Sequence, residues 1–339
     1  MTMRALNVEG GFGLERLSVR SIERPRPGPE QVLIRVRAAS LNYRDWLVLK
    51  GLYNPRYPLP LTIGSDAVGE IVELGDGAEQ HGFALGERVL PQLAQGWLSG
   101  PPSRDATQKT LGGPLQGVFA EYALSRADSL LRAPSYLDDA EAACLPCAGL
   151  TAMSALADNP LLANGGTLLT QGSGGVSLFA LQLARSLGAR VLVTTRSPEK
   201  RERLLALGAE EVLPAEPGFA KHVRLATRGE GADHVIEVSG GSTVAESLRA
   251  VRPGGTVSLI GTLGGHEASL DLLPIVMRNV RVQGVFVGHV AMFERLLEHL
   301  TQHRIRPVID SVFELEQAPR AFERLSSGAH FGKIVLTLT

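Results

Sequence analysis

Cysteines, excess positive charge and long apolar runs are all scarce in this chain. Its 339 residues include two cysteines, Cys144 and Cys147, which excludes a disulfide scaffold and predicts a reducing, cytoplasmic environment. The formal net charge is −1, so we expect no nucleic-acid partner and no membrane-surface partner. No window approaches the roughly 18 uninterrupted apolar residues of a membrane span, and the opening MTMRALNVEGG lacks the apolar core of a signal peptide.

Length and composition favour a globular protein of two domains. A chain of 339 residues is too long for one ordinary core, and 44% hydrophobic with 20% charged residues is a balance typical of folded proteins. The first part of the chain is predicted to be rich in β-strands, because residues 32–36, 67–74 and 86–90 form short apolar or alternating runs. Residues 92–117 are rich in Gly, Pro and Ser, and predict a functional loop or small lobe.

From about residue 127 the pattern changes to alternating helices and strands. A helix is predicted after Asp138, a candidate N-cap with acidic residues in the turn that follows. Strand and helix segments then follow one another as GTLLTQG, VSLFALQLARSLG, RVLVTTR, PEKRERLLALG, DHVIEVSGG, TVAESLRAV and GTVSLIG. The continuous apolar strands predict an α/β fold with a doubly wound parallel sheet covered on both faces. Residues from about 304 onward look β-like again and are predicted to return to the first domain.

A glycine-rich turn in TLLTQGSGGVSLFALQLA predicts a dinucleotide site. Gly172, Gly174, Gly175 and Val176 lie where a strand ends and a helix begins. Glycine at such a turn lets backbone N–H groups approach a pyrophosphate, which the helix N-terminus then stabilises. Ser177 stands at the third position of the usual fingerprint, which predicts slightly looser packing of the helix on the strand. An ordinary glycine-rich turn between a strand and a helix remains the alternative.

The end of the next strand, LVTTRSPEK, indicates which dinucleotide is bound. Sites for NAD usually carry Asp or Glu there, and this chain has no carboxylate before Glu199. Hydroxyls and cations suited to a 2′-phosphate predict NADP(H) in preference to NAD(H), and they come from Thr195, Arg196, Ser197 and Lys200. In the alternative, Ser197 only caps the helix and Lys200 is a solvated charge.

Several motifs in order resemble the medium-chain dehydrogenase/reductase superfamily, and most of all its zinc-independent branch of quinone oxidoreductase-like and alcohol dehydrogenase-like proteins. The motifs are LNYRD (41–45), GSDAVGEIVELG (64–75), GERV (86–89), VFAEYAL (118–124), LPCAGLTA (145–152), GSGGVS and HFGKIVL (330–336). The resemblance implies a GroES-like catalytic domain of residues 1–126 and 304–339 around a Rossmann domain of residues 127–303. It also implies an oxidoreductase with its active site in the cleft between the domains, and a homodimer.

The residues that hold zinc in metal-containing relatives are mostly replaced here. Asn42 stands for the first Cys and Ser65 for the His, and Cys147 alone keeps a ligand type. One thiolate is too few for a catalytic Zn²⁺, which needs three protein ligands, so no metal is expected. Two alternatives carry less weight, a redox pair of Cys144 and Cys147 within a helical segment, and a metal held by His299 and His303 without a third ligand.

The resemblance also implies the remaining site residues. Asn42 and Tyr53 are expected to hydrogen-bond the substrate oxygen, with Asp45 orienting its neighbours, and each has a purely structural alternative. Further cofactor contacts are expected from Thr151, Gly261, Phe286, Val287 and Lys333. The chemistry favoured is hydride transfer from NADPH to a small carbonyl-containing molecule such as an enone or quinone. Two alternatives stay open, oxidation of simple alcohols or reduction of aldehydes, and a non-catalytic dinucleotide-binding protein with a structural role.

Overall fold

The computed structural model describes residues 1–157, 159 and 162–338. The β-strands in these ranges are β1 Thr2–Val8, β2 Leu17–Glu23, β3 Gln31–Ser40, β4 Leu61–Thr62, β5 Asp66–Leu74, β6 Arg88–Pro91, β7 Tyr122–Arg126, β8 Leu130–Arg132, β9 Thr167–Gln171, β10 Arg190–Thr195, β11 Glu211–Pro214, β12 Ala232–Glu237, β13 Val251–Leu259, β14 Arg281–Gly284, β15 Ile309–Glu314 and β16 Lys333–Thr337. The α-helices are α1 Tyr43–Leu49, α2 Arg104–Gln108, α3 Asp139–Ala142, α4 Leu150–Leu156, α5 Gly175–Ser186, α6 Arg201–Ala206, α7 Phe219–Ala226, α8 Val244–Ala250, α9 Leu273–Met277, α10 Val290–His303 and α11 Ala318–Ser326.

The chain forms two compact units. Unit one consists of Met1–Leu150 and Val287–Thr339, and unit two consists of Thr151–Phe286. These limits differ from the predicted domain boundaries after residues 126 and 303. The difference arises because β8 pairs with β6, and α10 packs against β8. Strand β8 and helix α10, which were predicted to belong to the second domain, therefore belong to unit one.

The larger sheet of unit one is centred on β3. Its strand order is β15-β16-β3-β5-β6-β8, and β7 also pairs with β3. The chain after residue 304 does return to this sheet, because β16 pairs antiparallel with β3. The β-like prediction for this segment was wrong between the two strands, where α11 forms. The buried positions of α11 repeat with helical spacing, at Ala318, Ala321, Phe322 and Leu325.

The helix predicted after Asp138 forms, with a change of geometry in its middle. Asp138 caps it as predicted, because its Oδ1 accepts a hydrogen bond of 2.8 Å from the backbone N–H of Glu141. Between α3 and α4, residues Leu145–Gly149 form a π-helical turn. Pro146 lies in this turn and has no N–H to donate, which disfavours regular α-helical bonding there.

Unit two is built on one six-stranded sheet in which neighbouring strands are parallel. Its order is β11-β10-β9-β12-β13-β14, which is 3-2-1-4-5-6 when the strands are counted from β9. The predicted doubly wound parallel sheet is therefore confirmed. Apolar strand residues such as Leu169, Leu192, Val235 and Val257 are fully buried against the helices.

The loop of residues 92–117 holds one short helix, α2, and is attached to the start of α10. The backbone N–H groups of Val290 and Ala291 donate to the carbonyl oxygens of Trp97 and Leu98 at 2.9 and 3.0 Å. In the part of the chain that the structure describes, no helix combines the length and the apolar character of a membrane span.

His234 on β12 is a buried histidine with a hydrogen-bond partner at each ring nitrogen. Its side chain is 1% exposed, its Nδ1 lies 3.0 Å from the amide nitrogen of Asn159, and its Nε2 lies 2.8 Å from the hydroxyl of Ser258. An amide nitrogen can only donate, so Nδ1 is the accepting nitrogen of a neutral ring. Burial lowers the pKa of His234 to about 4, opposed by the nearby charge of Asp233.

We expect the free energy of unfolding to fall as the pH drops from about 6.5 to about 4. The unfolded chain takes up a proton on this histidine over that range and the folded chain does not, which costs up to about 3 kcal/mol. Urea unfolding of His234→Gln at pH 7.5, 5.5 and 4.5 should show a shallower pH dependence than the wild type. The exposed His266→Gln is the control, and equal pH dependence in all three proteins would contradict the expectation.

Candidate active site

Three strands bring four polar side chains together in unit one. Ser40 at the end of β3 pairs with Val335 of β16 on one side and with Asp66 of β5 on the other. Because β3 and β16 are antiparallel, Lys333, two residues before Val335, lies next to Asn42, two residues after Ser40. Asn42 is the N-cap of α1, at the point where β3 gives way to the helix.

These side chains form a closed ring, which we call the Lys333 ring, made of Lys333, Asn42, Ser65 and Asp66. The ammonium of Lys333 donates to Asn42 Oδ1 at 2.6 Å and to the carbonyl of Leu41 at 2.7 Å. The amide of Asn42 donates from Nδ2 to Ser65 Oγ at 3.2 Å, and Ser65 Oγ donates to Asp66 Oδ1 at 3.1 Å. Asp66 Oδ2 lies 3.8 Å from the Lys333 nitrogen, which completes the ring.

The ring is buried, and burial governs its electrostatics. The side chain of Lys333 is 4% exposed and that of Asp66 is fully buried. Burial raises the pKa of Asp66, and the charge of Lys333 opposes that rise. Cys147 joins the ring through its backbone N–H, which donates to Asp66 Oδ2 at 3.1 Å. Burial raises the pKa of the Cys147 thiol to about 12, so this thiol is protonated at neutral pH.

A second group of charges adjoins the ring at the start of α1. Asp45 is buried, and its Oδ2 accepts a 2.8 Å hydrogen bond from the backbone N–H of Asn42. Burial raises the pKa of Asp45 to about 6, against the opposing charge of Arg44, whose guanidinium lies 3.4 Å from Asp45 Oδ1. The same guanidinium donates to the carbonyl of Leu111 at 2.9 Å and lies 5.3 Å from the ring centroid of Tyr53.

The structure therefore brings some of the predicted catalytic residues together. Asn42 and Asp45 are joined by a hydrogen bond from backbone to side chain. Within the described residues Tyr53 makes no hydrogen bond to either of them, and its ring lies beside Arg44, which pairs with Asp45. Tyr53 is 39% exposed. Arg44 and Asp66 were not singled out from the sequence, although each is a charged residue within a quoted motif.

The donor set at the Lys333 ring does not fit a zinc ion. The oxygen of Asn42 is bonded to an ammonium and Ser65 is a neutral hydroxyl, so Cys147 is the one zinc-type ligand among these three positions. Zinc is held by thiolate, imidazole or carboxylate ligands, and a fixed positive charge beside the ligands repels a second cation. Cys144 is also a buried free thiol, and burial raises its pKa to about 12.

In unit two the glycine-rich turn fits a dinucleotide. Gly172 has a φ of 71°, and a Cβ at Gly172 or Gly174 would meet no protein atom within 4 Å. Gly174 is the N-cap of α5 and supplies no side-chain cap, so the first N–H groups of that helix, from Gly175 and Val176 onward, receive no hydrogen bond from a capping side chain. The hydroxyl of Ser177 donates to the carbonyl of Gln171 at 2.6 Å and fastens α5 to the end of β9.

A buried carboxylate organises the loops beside this turn. Glu237, at the end of β12, is fully buried and accepts hydrogen bonds from the backbone N–H groups of Ser239 and Gly240 and from the side chains of Gln171, Thr243 and Ser247. Gly261, two residues after β13, lies so close to the loop that a Cβ there would be 2.2 Å from the Val238 carbonyl oxygen. Glycine is required at that position by this contact.

The residues predicted to select the cofactor lie at the end of β10. The hydroxyl of Thr195 accepts from the backbone N–H of Ser197 at 3.1 Å. Arg196 is exposed and its guanidinium has no hydrogen-bond partner among the described residues. Lys200 is 8% exposed and so is buried, contrary to the solvated alternative.

The other predicted cofactor contacts are spread over both units. Thr151 is buried in α4, and Phe286 and Val287 follow β14. Val287 has a φ of 39°, which is strained for a β-branched residue. Lys333 lies in unit one with its ammonium on Asn42, and a contact with the cofactor stays a prediction.

His299 and His303 face each other on α10 with ring centroids 4.4 Å apart.

Two family models match the chain. The model for the alcohol dehydrogenase GroES-like domain matches residues 28–135, and the model for zinc-binding dehydrogenases matches residues 175–302. A zinc-type alcohol dehydrogenase-like protein of Schizosaccharomyces pombe is 38% identical over 96% of both chains. An acryloyl-coenzyme A reductase of Metallosphaera sedula is 30% identical over 99% of this chain and all of its own. A quinone oxidoreductase of Rattus norvegicus is 29% identical over 99% of this chain and 98% of its own.

Solved structures superpose on nearly the whole of this chain. A putative alcohol dehydrogenase from Sinorhizobium meliloti superposes with a TM-score of 0.91 at 36% identity, covering 99% of both chains. An NAD-dependent alcohol dehydrogenase gives 0.90 at 32% identity, covering 99% of this chain and all of its own. A mycobacterial protein solved in complex with NADPH gives 0.83 at 25% identity with the same coverage. The chain therefore belongs to the medium-chain dehydrogenase/reductase superfamily, and it is an oxidoreductase with a GroES-like unit and a dinucleotide-binding parallel-sheet unit.

Proposed function

We propose that this oxidoreductase is a zinc-independent, NADP(H)-dependent reductase of enones or quinones. The observation that carries the proposal is the buried amide of Asn42, which accepts a hydrogen bond from the ammonium of Lys333. The family resemblance implies that a metal ligand stands at this position in zinc-containing relatives. A substrate oxygen that gains negative charge during reduction needs a donor or a cation. An enone or a quinone is already electron-poor, so hydrogen bonds suffice where a simple ketone would need a stronger electrophile.

Each residue near the Lys333 ring has a role in this proposal. Asn42 donates an N–H of its amide to the substrate oxygen. Tyr53, which is partly exposed beside Arg44, hydrogen-bonds the same oxygen or supplies its proton. Asp45 holds the backbone of Asn42 and balances Arg44. When bound, NADPH supplies the hydride.

The cofactor is held by unit two in this proposal. The open turn at Gly172 and Gly174 receives the pyrophosphate at the N-terminus of α5. Arg196 and the hydroxyls of Thr195 and Ser197 receive the 2′-phosphate, because an exposed guanidinium with no hydrogen-bond partner among the described residues is suited to a phosphate. The similarity to an NAD-dependent alcohol dehydrogenase favours the second candidate, which oxidises simple alcohols with NAD.

A test of the reaction uses purified, EDTA-treated protein with NADPH or NADH and a panel of quinones, enones and simple aldehydes. We expect NADPH oxidation with enones or quinones, and no gain on adding Zn²⁺. Alcohol oxidation that begins only when Zn²⁺ is added would contradict the proposal. NADPH binding without turnover on any acceptor would instead favour a structural role.

Arg196→Ala tests the choice of cofactor. A charge-assisted hydrogen bond contributes roughly 1.5–3 kcal/mol, so we expect the KM for NADPH to rise about 10- to 100-fold. The KM for NADH should change by less than about twofold, because NADH has no 2′-phosphate for this guanidinium to bind. Arg320→Ala, at an exposed position of α11, is the matched control. A similar loss for both cofactors in Arg196→Ala would show that Arg196 does not read the 2′-phosphate.

We also propose that two copies of the chain associate through β14. This strand is at one edge of the unit-two sheet, and an edge strand presents unpaired N–H and C=O groups to another strand. Val282 on β14 is exposed, and so are the large apolar side chains of the nearby segment, Leu272, Leu273, Val276 and Met277. A second copy of the chain would cover this apolar surface.

Light scattering should give twice the chain mass of 36.1 kDa. Val282→Lys should shift the protein to the monomer, because the new charges would face each other across the strand pair. Val312→Lys, an exposed position on the edge strand β15 of the other sheet, is the control. A wild-type monomer, or dissociation by Val312→Lys alone, would contradict the assembly.

A further inference from the structure

We infer that Lys333 is a positioning residue that fixes which end of the Asn42 amide faces a substrate oxygen. The inference rests on the proposed function and names a residue that the reaction would require in addition to Asn42. Four contacts in the Lys333 ring carry it, together with their burial.

The ammonium of Lys333 determines the orientation of the amide. An ammonium has three donors and no acceptor, so only the oxygen end of Asn42 can lie 2.6 Å from it. The nitrogen end is consequently held toward Ser65, at 3.2 Å from its hydroxyl. The amide nitrogen carries two N–H groups. Ser65 accepts from one of them, and the amide also lowers the pKa of Asp66 by hydrogen bonding, so a substrate oxygen would share these N–H groups with the two side chains.

The hydrogen bonds around the ring run in one direction. Lys333 donates to Asn42, Asn42 donates to Ser65, and Ser65 donates to Asp66. Ser65 has a single hydroxyl proton, and since Asp66 receives it, the oxygen of Ser65 must accept from Asn42. Bonds that follow one another in this way polarise each other, which makes the amide N–H groups of Asn42 stronger donors.

The positive charge of Lys333 acts on the amide oxygen of Asn42. Asp66 offsets this charge at 3.8 Å, which is longer than a hydrogen bond, while the bonds to Asn42 and Leu41 are short. The ammonium is buried, so its field on the amide is screened less than that of a surface lysine. A substrate oxygen that becomes an enolate or a quinol anion would be stabilised through Asn42 without touching Lys333.

The test is a double-mutant cycle in turnover with NADPH and an enone, using Asn42→Ala, Lys333→Met and the double variant. We expect each single variant to lower kcat about 100-fold, as loss of one oxyanion donor does. The double variant should be no slower than the slower single variant, because Lys333 would act only through Asn42. The Kd for NADPH should stay within about twofold of wild type in all three proteins, because in this inference the ammonium of Lys333 serves Asn42 and Leu41 and not the cofactor.

Two further variants act as controls. Lys333→Arg keeps the charge and donors and should recover most of the activity lost in Lys333→Met. Lys221→Met makes the same change at an exposed lysine of α7 and should behave as wild type.

Three outcomes would overturn the inference. The first is a double variant about 10⁴-fold slower than wild type, which would mean that the two residues act independently. The second is a Lys333→Met variant with normal kcat and weakened NADPH binding, which would make Lys333 a cofactor contact. The third is a silent wild-type enzyme, which overturns the proposed function and the positioning role with it, whereas the first two leave the proposed function intact.

If Lys333→Met does not fold, Asn42→Asp replaces it. A carboxylate at position 42 would pair with the ammonium, so Asn42→Asp should melt at a higher temperature than Asn42→Ala although it has no N–H to donate and remains slow. A lower melting temperature for Asn42→Asp than for Asn42→Ala would contradict the hydrogen bond between Lys333 and the side chain at position 42, and would overturn the inference.

Discussion

The constraint on which unit one depends is the burial of a lysine ammonium in a β-sheet. A buried charge is costly unless partners replace the water it has lost. Lys333 meets this requirement with one carbonyl, one amide oxygen and a carboxylate, and these come from the end of β3, the N-cap of α1 and the start of β5. The same contacts therefore fasten three elements together and place Asn42, so that local stability and the geometry of the candidate site have one origin.

Unit two also buries an ionisable side chain, in this case an acidic one. The carboxylate of Glu237 is buried at the end of β12, and backbone and side-chain donors surround it. Those donors come from the last residue of β9, the loop after β12 and helix α8, near the edge where a parallel sheet of this order binds its ligand. Glu237 therefore joins the end of β9 to the loop after β12, beside the turn at Gly172 where the proposed dinucleotide site lies.

The sequence predicted the parts of the molecule whose signals are local. Continuous apolar strands alternating with helices predicted the parallel sheet, and Gly172 and Gly174 predicted the turn at the N-terminus of α5, because both signals lie within a few residues. The Lys333 ring has no local signal. Lys333 is the single charge of β16, Asp66 is one of three acidic residues on β5, and nothing nearby in the chain indicates that β16 and β5 flank the same strand. A lone charge in a buried strand was the available clue, since such a charge requires an opposite partner. The helix α11 was missed although its apolar residues follow helical spacing, and the domain limits shifted because packing of α10 on β8 is a tertiary contact.

The division of unit one into two segments has a consequence for how the protein is made. Residues 151–286 form one continuous stretch, and all of it leaves the ribosome before Lys333 does. Unit two can therefore complete its core during synthesis, while Asp66 and Asn42 still lack their cation and β3 lacks β16 at its side. Until β16 is made, β3 therefore has an open edge, and an open strand edge in an incomplete fold is prone to pair with other chains.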